Sequence, residues 1–156
     1  MTRWLTETEL EAWLPTAGVM LRLGTALDSQ LQRDSDLTHF DYLCLAMLSE
    51  EGDHTTSMSA LAGRTNSSLS RLSHVISKLE GRGFVTRCRS EVSRRVTLVR
   101  MTEEGYAVLV AAAPGHVETV ASLVFDGLPP EDVEALGRIT RHVLSRVEAS
   151  GLKATN

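Results

Sequence analysis

The chain opens with a long stretch in which apolar residues recur at helical spacing. Thr6 is followed three residues later by Glu9, which is the form of a capping box, so a helix is predicted to begin near residue 7. The spacing continues from Leu10 to Leu31, and Pro15 is expected to kink or interrupt the helix. The first predicted element is therefore one long helix with a weak point early in its length.

Three shorter helices are predicted to follow. Thr38 has the position of an N-cap, and the residues after it place apolar side chains on one face of a second helix. A short helix over 57–63 and a further helix over about 67–80 come next, and Gly81 and Gly83 close the latter. This fourth helix is predicted to bury one apolar stripe, formed by Leu69, Leu72, Val75, Ile76 and Leu79.

The remaining pattern predicts a hairpin and two more helices. Two β-type runs, 84–89 and 95–101, bracket a polar tip. Thr102 caps a long helix that runs to about residue 125 with an expected bend at Pro114, and Pro129 introduces a final helix. Two helices joined by a tight turn and followed by a hairpin form a winged helix-turn-helix. The predicted fold is therefore mainly α with a small β-hairpin wing.

Charge is unevenly distributed along the chain. The formal net charge is −4, yet residues 57–100 contain nine cations and two anions, a net of +7 that leaves −11 elsewhere. Such a run can be a set of solvated faces. Because this run coincides with the predicted third and fourth helices and with the hairpin, we expect it to face a polyanion, while the acidic remainder limits non-specific association.

The predicted fourth helix carries a polar stripe opposite its apolar one. Serine hydroxyls can bond base edges or phosphates, Arg71 can make a bidentate contact with guanine, and Lys78 near the helix end is expected to meet a phosphate. The alternative is an ordinary solvated helix face. The candidate DNA-binding residues on this helix are Ser67, Ser68, Ser70, Arg71, His74, Ser77 and Lys78.

Composition excludes several other classes of protein. The 156 residues are 42% apolar, enough to fill a core, and no apolar run approaches the roughly 18 residues that cross a bilayer. The N-terminus lacks the apolar stretch of a signal peptide, so we expect a cytoplasmic protein without a membrane partner. Two cysteines and five scattered histidines define neither a disulfide framework nor a metal site, and no cofactor motif is present. A Gly-rich phosphate loop, a nucleophile elbow and a zinc-protease motif are all missing, so an enzyme is not expected.

The two cysteines have different expected roles. Cys44 falls in the apolar stripe of its helix and is predicted to be core. Cys88 is flanked by Arg87 and Arg89, and nearby cations favour the oxidisable thiolate. In a strand, however, those neighbours point to the opposite face. Redox sensing through Cys88 is therefore kept as an alternative.

The chain resembles the MarR family (multiple-antibiotic-resistance-type regulators). The resemblance is carried by four stretches, 37–45, 58–62, 73–87 and 98–105. The run Leu-Glu-Gly-Arg-Gly-Phe-Val-Thr-Arg, followed by Met-Thr-Glu-Glu-Gly, is its most specific part. The resemblance implies a homodimer with intertwined N- and C-terminal helices. It assigns 1–36 and 103–156 to a dimerisation region and 37–102 to the winged helix-turn-helix.

The wing departs from the family pattern at one place. The family usually has Asp-x-Arg there, with a carboxylate that orients the arginine entering the minor groove. Here the matching residues are Ser93, Arg94 and Arg95, so the carboxylate is missing unless Glu91 replaces it. Arg94 and Arg95 remain candidate DNA contacts, with a more electrostatic role than the family pattern implies.

The expected function is that of a sequence-specific DNA-binding transcriptional regulator. The resemblance implies a homodimer that binds a palindromic operator and is released by a small ligand of unknown identity or by an oxidant, and we expect it to act as a repressor. Two alternatives stay open: a winged-helix module that binds another protein, and a redox-sensing regulator that uses Cys88.

Overall fold

The structure is a computed structural model, and it describes residues 1–93 and 95–151. The elements in these ranges follow the predicted order, with one added strand. They are α1 (Glu7–Ser35), α2 (His39–Ser49), β1 (Thr55–Ser57), α3 (Met58–Arg64), α4 (Leu69–Gly81), β2 (Val85–Arg89), β3 (Thr97–Met101), α5 (Glu103–Val120), continued by a π-helical turn (Ala121–Phe125), and α6 (Pro130–Ala149). The predicted class, mainly helical with a small β wing, is confirmed.

Side-chain caps define where the helices begin. The Thr6 hydroxyl accepts from the Glu9 backbone N–H, and the Glu9 carboxylate accepts from the Thr6 N–H, so α1 starts with the predicted capping box. Thr38 and Asp41 form a second capping box at the start of α2. Each box satisfies backbone N–H groups that the first helical turn leaves unpaired.

Pro15 was expected to kink or interrupt the first helix, and it does not interrupt it. α1 runs unbroken through Pro15, which lies on its exposed surface. Proline removes one backbone N–H donor, and at a solvent-exposed position water can satisfy the carbonyl that loses its partner. α5 likewise continues through Pro114 to Val120 and only then widens into the π-helical turn, so Pro114 does not break the helix, and the expected bend there stays a prediction.

The sheet contains a strand that the sequence pattern did not predict. β1 pairs antiparallel with β3, with Thr55 opposite Arg100, and β2 pairs antiparallel with the other edge of β3, giving the order β1-β3-β2. The segment Thr-Thr-Ser has only three residues, all of them polar, so it cannot show the alternation of apolar and polar side chains that predicts a strand. The wing is therefore a three-stranded sheet whose hairpin, β2 and β3, is the predicted part.

The fourth helix begins later than predicted, and Leu69 is not part of the core. Ser68 is the N-cap, so Leu69 is the first helical residue and is 55% exposed. It lies at the N-terminal edge of the stripe whose centre, Leu72 and Ile76, is fully buried. The fully buried side chains of α4 are Leu72, Ile76 and Leu79.

One hydrophobic core joins the winged helix to the ends of two long helices. It includes Leu31 near the end of α1, Leu45 and Leu48 of α2, and Leu109 and Ala112 of α5. Gly105 places α5 directly against the start of the wing, since a Cβ at this glycine would collide with the Phe84 carbonyl oxygen. This close approach is a physical reason for glycine after Met-Thr-Glu-Glu.

The end of the molecule formed by α6 and the N-terminal half of α1 is exposed, and we call it the open end. No described side chain of α6 is buried, and the N-terminal half of α1 is exposed as well.

Within the described residues, α5 with its π-helical turn (Glu103–Phe125) is the one helix long and apolar enough to cross a membrane by length and composition. Leu109 and Ala112 of this helix are instead packed in the protein core.

Candidate nucleic-acid interface

Helix α4 presents a continuous polar surface on the side away from the core. Ser70, His74 and Ser77 follow one another at intervals of four and three residues, which places them on one face of the helix. Arg71 and Lys78 flank this line on one side, and all five residues are exposed. The structure therefore brings together five of the predicted recognition residues. The face is neither acidic nor apolar, as a surface that meets DNA requires.

The two remaining serines form the turn that leads into α4. Ser68 accepts a hydrogen bond from the Arg71 backbone N–H at 3.2 Å and thereby caps the helix. The Ser67 hydroxyl lies 3.0 Å from the buried Thr65 hydroxyl. Asn66 adopts a left-handed conformation, with φ of 49°, which reverses the chain between α3 and α4. Ser67 and Ser68 thus hold the helix-turn-helix geometry at the edge of the exposed face.

Arg71 is held above an aromatic ring. Its guanidinium carbon lies 4.3 Å from the centre of the Phe40 ring at the start of α2, a cation–π contact. Beside it is a cavity of about 380 Å³ between α1, α2 and α4, lined in part by Asp28, His39 and Arg71. The ring restricts the rotamers of Arg71 without neutralising its charge, so the cation remains available to an anionic partner.

The C-terminal half of α4 is bonded to the elements on both of its sides. Lys78 Nζ donates to Asp41 Oδ2 of α2 at 2.7 Å. On the other side, the Arg87 guanidinium of β2 donates to Ser77 Oγ at 2.7 Å and to Glu80 Oε2 at 3.0 Å. The backbone N–H and guanidinium of Arg87 lower the pKa of the Glu80 carboxyl. Predicted contact residues at this end of the helix therefore already have protein partners.

Most cations of the basic segment are paired with carboxylates. Of its nine cations, five form ion pairs within the described residues. These pairs are Arg64 with Glu50 and Glu51, Lys78 with Asp41, Arg82 with Asp36, Arg87 with Glu80, and Arg100 with Asp53. Arg71 and Arg95 have no carboxylate partner among the residues described. The net +7 of the segment therefore overstates the charge that faces a ligand, because four of the five pairs draw their acids from outside it.

The wing tip is a compact turn with an exposed cation. The Ser90 backbone N–H donates to the Val96 carbonyl at 3.0 Å, and the Val96 N–H donates to the Ser93 carbonyl at 2.9 Å. Arg95 is exposed just before β3, whereas Arg94 lies outside the described residues. No ion pair joins Glu91 to Arg95 in the part of the chain that the structure describes. The missing family carboxylate thus has no substitute on Arg95 here.

The cysteines occupy the two environments that their positions predict. Cys44 is fully buried, and burial together with the nearby Asp41 carboxylate raises the pKa of its thiol to about 12. Cys88 is exposed on β2, opposite Leu98 of β3. Its neighbour Arg87 is bonded to Glu80 and Ser77. In residues 1–93 and 95–151, no group of three His, Cys, Asp or Glu side chains is placed to hold a metal ion.

Sequence reasoning missed the residues that position the exposed face. Phe40 under Arg71, Asp41 beside Lys78, and Glu80 bridging α4 to β2 were not among the candidates. The capping position of Asp41, three residues after Thr38, was visible in the sequence. Its second partner on α4 was not, since Asp41 and Lys78 are 37 positions apart.

Comparisons with known proteins agree with this architecture. The family model described as "MarR family" matches residues 37–97. The chain is similar to Sco3205 of Streptomyces coelicolor, a MarR family transcriptional regulator solved in complex with DNA (TM-score 0.89, 39% identity, 92% of this chain and 90% of that one). It is also similar to AbsC, a MarR family transcriptional regulator of the same organism (TM-score 0.89, 36% identity, 95% and 99% covered).

The chain is also similar, at lower identity, to a transcriptional repressor. The transcriptional repressor MprA of Escherichia coli K12 is 27% identical over 107 residues, which are 69% of this chain. The aligned part spans 60% of the length of that repressor.

Proposed function

The chain belongs to the MarR family of transcriptional regulators, and from that premise we propose that it is a repressor that binds a palindromic DNA operator as a homodimer. The observation that carries the proposal is the exposed polar face of α4. Ser70, Arg71 and His74 lie at its N-terminal half, where a recognition helix meets base edges in the major groove. The similar Sco3205 was solved in complex with DNA, which supports DNA binding by this chain.

The open end of the molecule supports the homodimer. The apolar stripe of α6 is half exposed, at 51% for Ile139, 51% for Val143 and 49% for Val147. Exposed apolar surface of this extent marks an interface, and a twofold axis makes the same surface serve both partners. We assign 1–36 and 103–156 to dimerisation and 37–102 to DNA binding. Two recognition helices would then lie about 34 Å apart, one turn of DNA.

The contacts with DNA divide into two kinds. Ser70, Arg71, His74 and Ser77 face the major groove, with Ser67 and Ser68 at the entrance of the helix. Arg95, together with Arg94, would place cations at the neighbouring minor groove or its phosphates, where negative potential attracts arginine. With so many segment cations already paired, we expect about three phosphate contacts per subunit, or six per dimer. The slope of log K against log salt would then be about −5.

A small ligand that acts on the winged helix would cause the protein to release its DNA. The cavity between α1, α2 and α4 supports this part of the proposal because Arg71 forms part of its wall. A molecule in the cavity would compete with the Phe40 contact that holds the guanidinium. We place the protein in the cytoplasm and assign it no catalysis, in line with a family of transcriptional regulators.

Selection of bound duplexes from a random DNA pool tests the proposal. The expected result is an enriched palindrome with half-site centres about ten base pairs apart. Binding should weaken steeply with added salt. Enrichment of no sequence, with a salt slope shallower than about −2, would show that the polar face of α4 does not read DNA.

A further inference from the structure

Lys78 is a cation on the exposed face of α4 whose ammonium group points toward the protein and not toward solvent. Lys78 lies seven residues after Arg71 on the flank of the helix nearest α2, and its Nζ reaches Asp41 Oδ2 at 2.7 Å. The Asp41 side chain is 1% exposed, whereas that of Lys78 is 44% exposed. The carboxylate is therefore buried and fixed, and the lysine bends to meet it.

Asp41 has little freedom to release this lysine. The same Oδ2 accepts the Thr38 backbone N–H at 2.9 Å as part of the capping box of α2. A carboxylate in the first turn of a helix is also favoured by the helix dipole. Lys78 supplies the only counter-cation that pairs with Asp41 within the described residues. A buried carboxylate that loses its cation is strongly unfavourable, so the pair should persist when DNA binds.

The opposite flank of α4 is held by hydrogen bonds in the same C-terminal half of the helix. Ser77 and Glu80 both bond the Arg87 guanidinium, which connects the helix to β2. The C-terminal half of α4 is thus fixed to α2 by Lys78 and to the wing by Arg87. In its N-terminal half, Arg71 packs on the Phe40 ring of α2, while Ser70 and His74 are exposed and free to meet the bases.

We propose that Lys78 is a positioning residue, which sets the angle of the recognition helix through the buried Asp41, and that it does not bind DNA phosphate. The inference rests on the proposed function and deepens it by separating two cations of the same helix. Arg71 acts on DNA itself, whereas Lys78 acts through Asp41 on the placement of Ser70, Arg71 and His74. We call the Lys78–Asp41 pair the brace of α4. A change in the angle of α4 on loss of this brace would misplace base contacts while leaving the charge of the wing unchanged.

The decisive measurement is the salt dependence of binding to the operator obtained by selection and to a scrambled duplex of equal length. Lys78→Met should weaken operator binding at least tenfold, weaken scrambled-duplex binding less than threefold, and leave the salt slope unchanged. A phosphate contact would instead give equal losses on both duplexes and a slope shallower by about one. Arg95→Met is the matched control, and it should show this second behaviour.

Two further variants separate positioning from charge. Lys78→Arg should restore operator binding to within about threefold of wild type, because a guanidinium can also bond the Asp41 carboxylate. Asp41→Asn removes a negative charge and frees Lys78, so simple electrostatics predicts tighter binding to both duplexes. Positioning predicts weaker operator binding, and tighter binding of both duplexes would overturn the proposal.

A measurement without DNA keeps the inference distinct from the function on which it rests. Backbone amide exchange in the free protein should become several-fold faster in Lys78→Met at the start of α2 and in the last turns of α4, and Lys78→Arg should resemble wild type. Unchanged exchange would overturn the brace even if DNA binding is confirmed. Faster exchange in a protein that selects no DNA would keep the brace and reject the proposed function.

Discussion

The winged-helix part of the molecule, from α2 to β3, and the open end formed by α6 and the start of α1 bury their apolar residues to very different degrees. In the first part, Leu72, Ile76 and Leu79 are fully buried by neighbours from the same chain. In α6, Ile139 and Val143 are each 51% exposed, although they follow the same helical spacing. Periodicity alone therefore says that a helix has an apolar face, and not which molecule covers that face.

The difference has a thermodynamic consequence. A core closed within one chain contributes stability that is independent of protein concentration. A stripe that a second copy covers contributes stability that grows with protein concentration, because association is linked to folding. The two regions can therefore be separated by the concentration dependence of unfolding.

The largest effect is expected from a cavity in the winged-helix core. Leu72→Ala removes a fully buried side chain of α4. The free energy of unfolding should fall by about 2–5 kcal/mol, since the surrounding residues relax only partly into the space. Urea unfolding monitored by circular dichroism measures it. Leu69→Ala is the matched control, because Leu69 is exposed on the same helix and its loss should cost little. Equal losses for both variants would contradict the assigned core.

A charge in the α6 stripe should act on association and not on the fold of one chain. Val143→Glu places a carboxylate where a second copy is proposed to pack, so sedimentation should show a monomer and the unfolding midpoint should no longer rise with protein concentration. Ser145→Glu adds the same charge about 200° further around the helix. That control should remain dimeric, and a dimeric Val143→Glu would remove α6 from the interface.

Arg71 tests whether the exposed face of α4 reads bases. Arg71→Ala should weaken operator binding by about 1–3 kcal/mol and random-DNA binding much less, because a base contact is lost and the wing cations remain. Competition binding with both duplexes at two salt concentrations measures the difference. Equal weakening on both would assign Arg71 to the backbone of the DNA.

These regions also show what could be predicted from the sequence. Element order, the helix caps and the polar face of α4 follow from local spacing and cap chemistry, and each is predictable within about one helical turn. The exposure of Leu69 was not predictable, because spacing cannot tell the edge of a buried stripe from its centre. β1 was missed because its strand character comes from pairing with β3, more than forty positions away.

The charge of the candidate site could be predicted only in part. Counting residues places a strong positive charge on 57–100, but Arg64 is paired with Glu50 and Glu51, and Arg82 with Asp36. Those carboxylates precede the segment in the sequence and meet it only after folding. The number of cations left for DNA is therefore a property of the tertiary structure, as is the partner of Lys78.

The junction between the two regions provides the smallest and most specific test. His116 of α5 is 9% exposed and packs on Tyr42 and His39 of α2, with ring centres 4.4 and 5.5 Å away, while Gln30 of α1 lies 3.4 Å from its Nδ1. Burial, and secondarily the nearby His39, lowers the pKa of His116. Burial also lowers the pKa of His39 against the opposing effect of Asp28. Both rings are therefore harder to protonate in the folded chain than in the unfolded one.

It follows that stability should be complete above the unfolded histidine pKa of about 6.5 and should decline as the pH falls below it, because the unfolded chain then binds more protons. We expect the urea midpoint to fall between pH 7.5 and 5.5, and His116→Gln, which can still bond Gln30, to reduce that fall. His142→Gln on exposed α6 is the control and should leave the profile unchanged. The fall should persist in Val143→Glu, since all four side chains of the junction belong to one chain. A pH dependence that disappears with the dimer would instead place the titrating groups in the subunit interface.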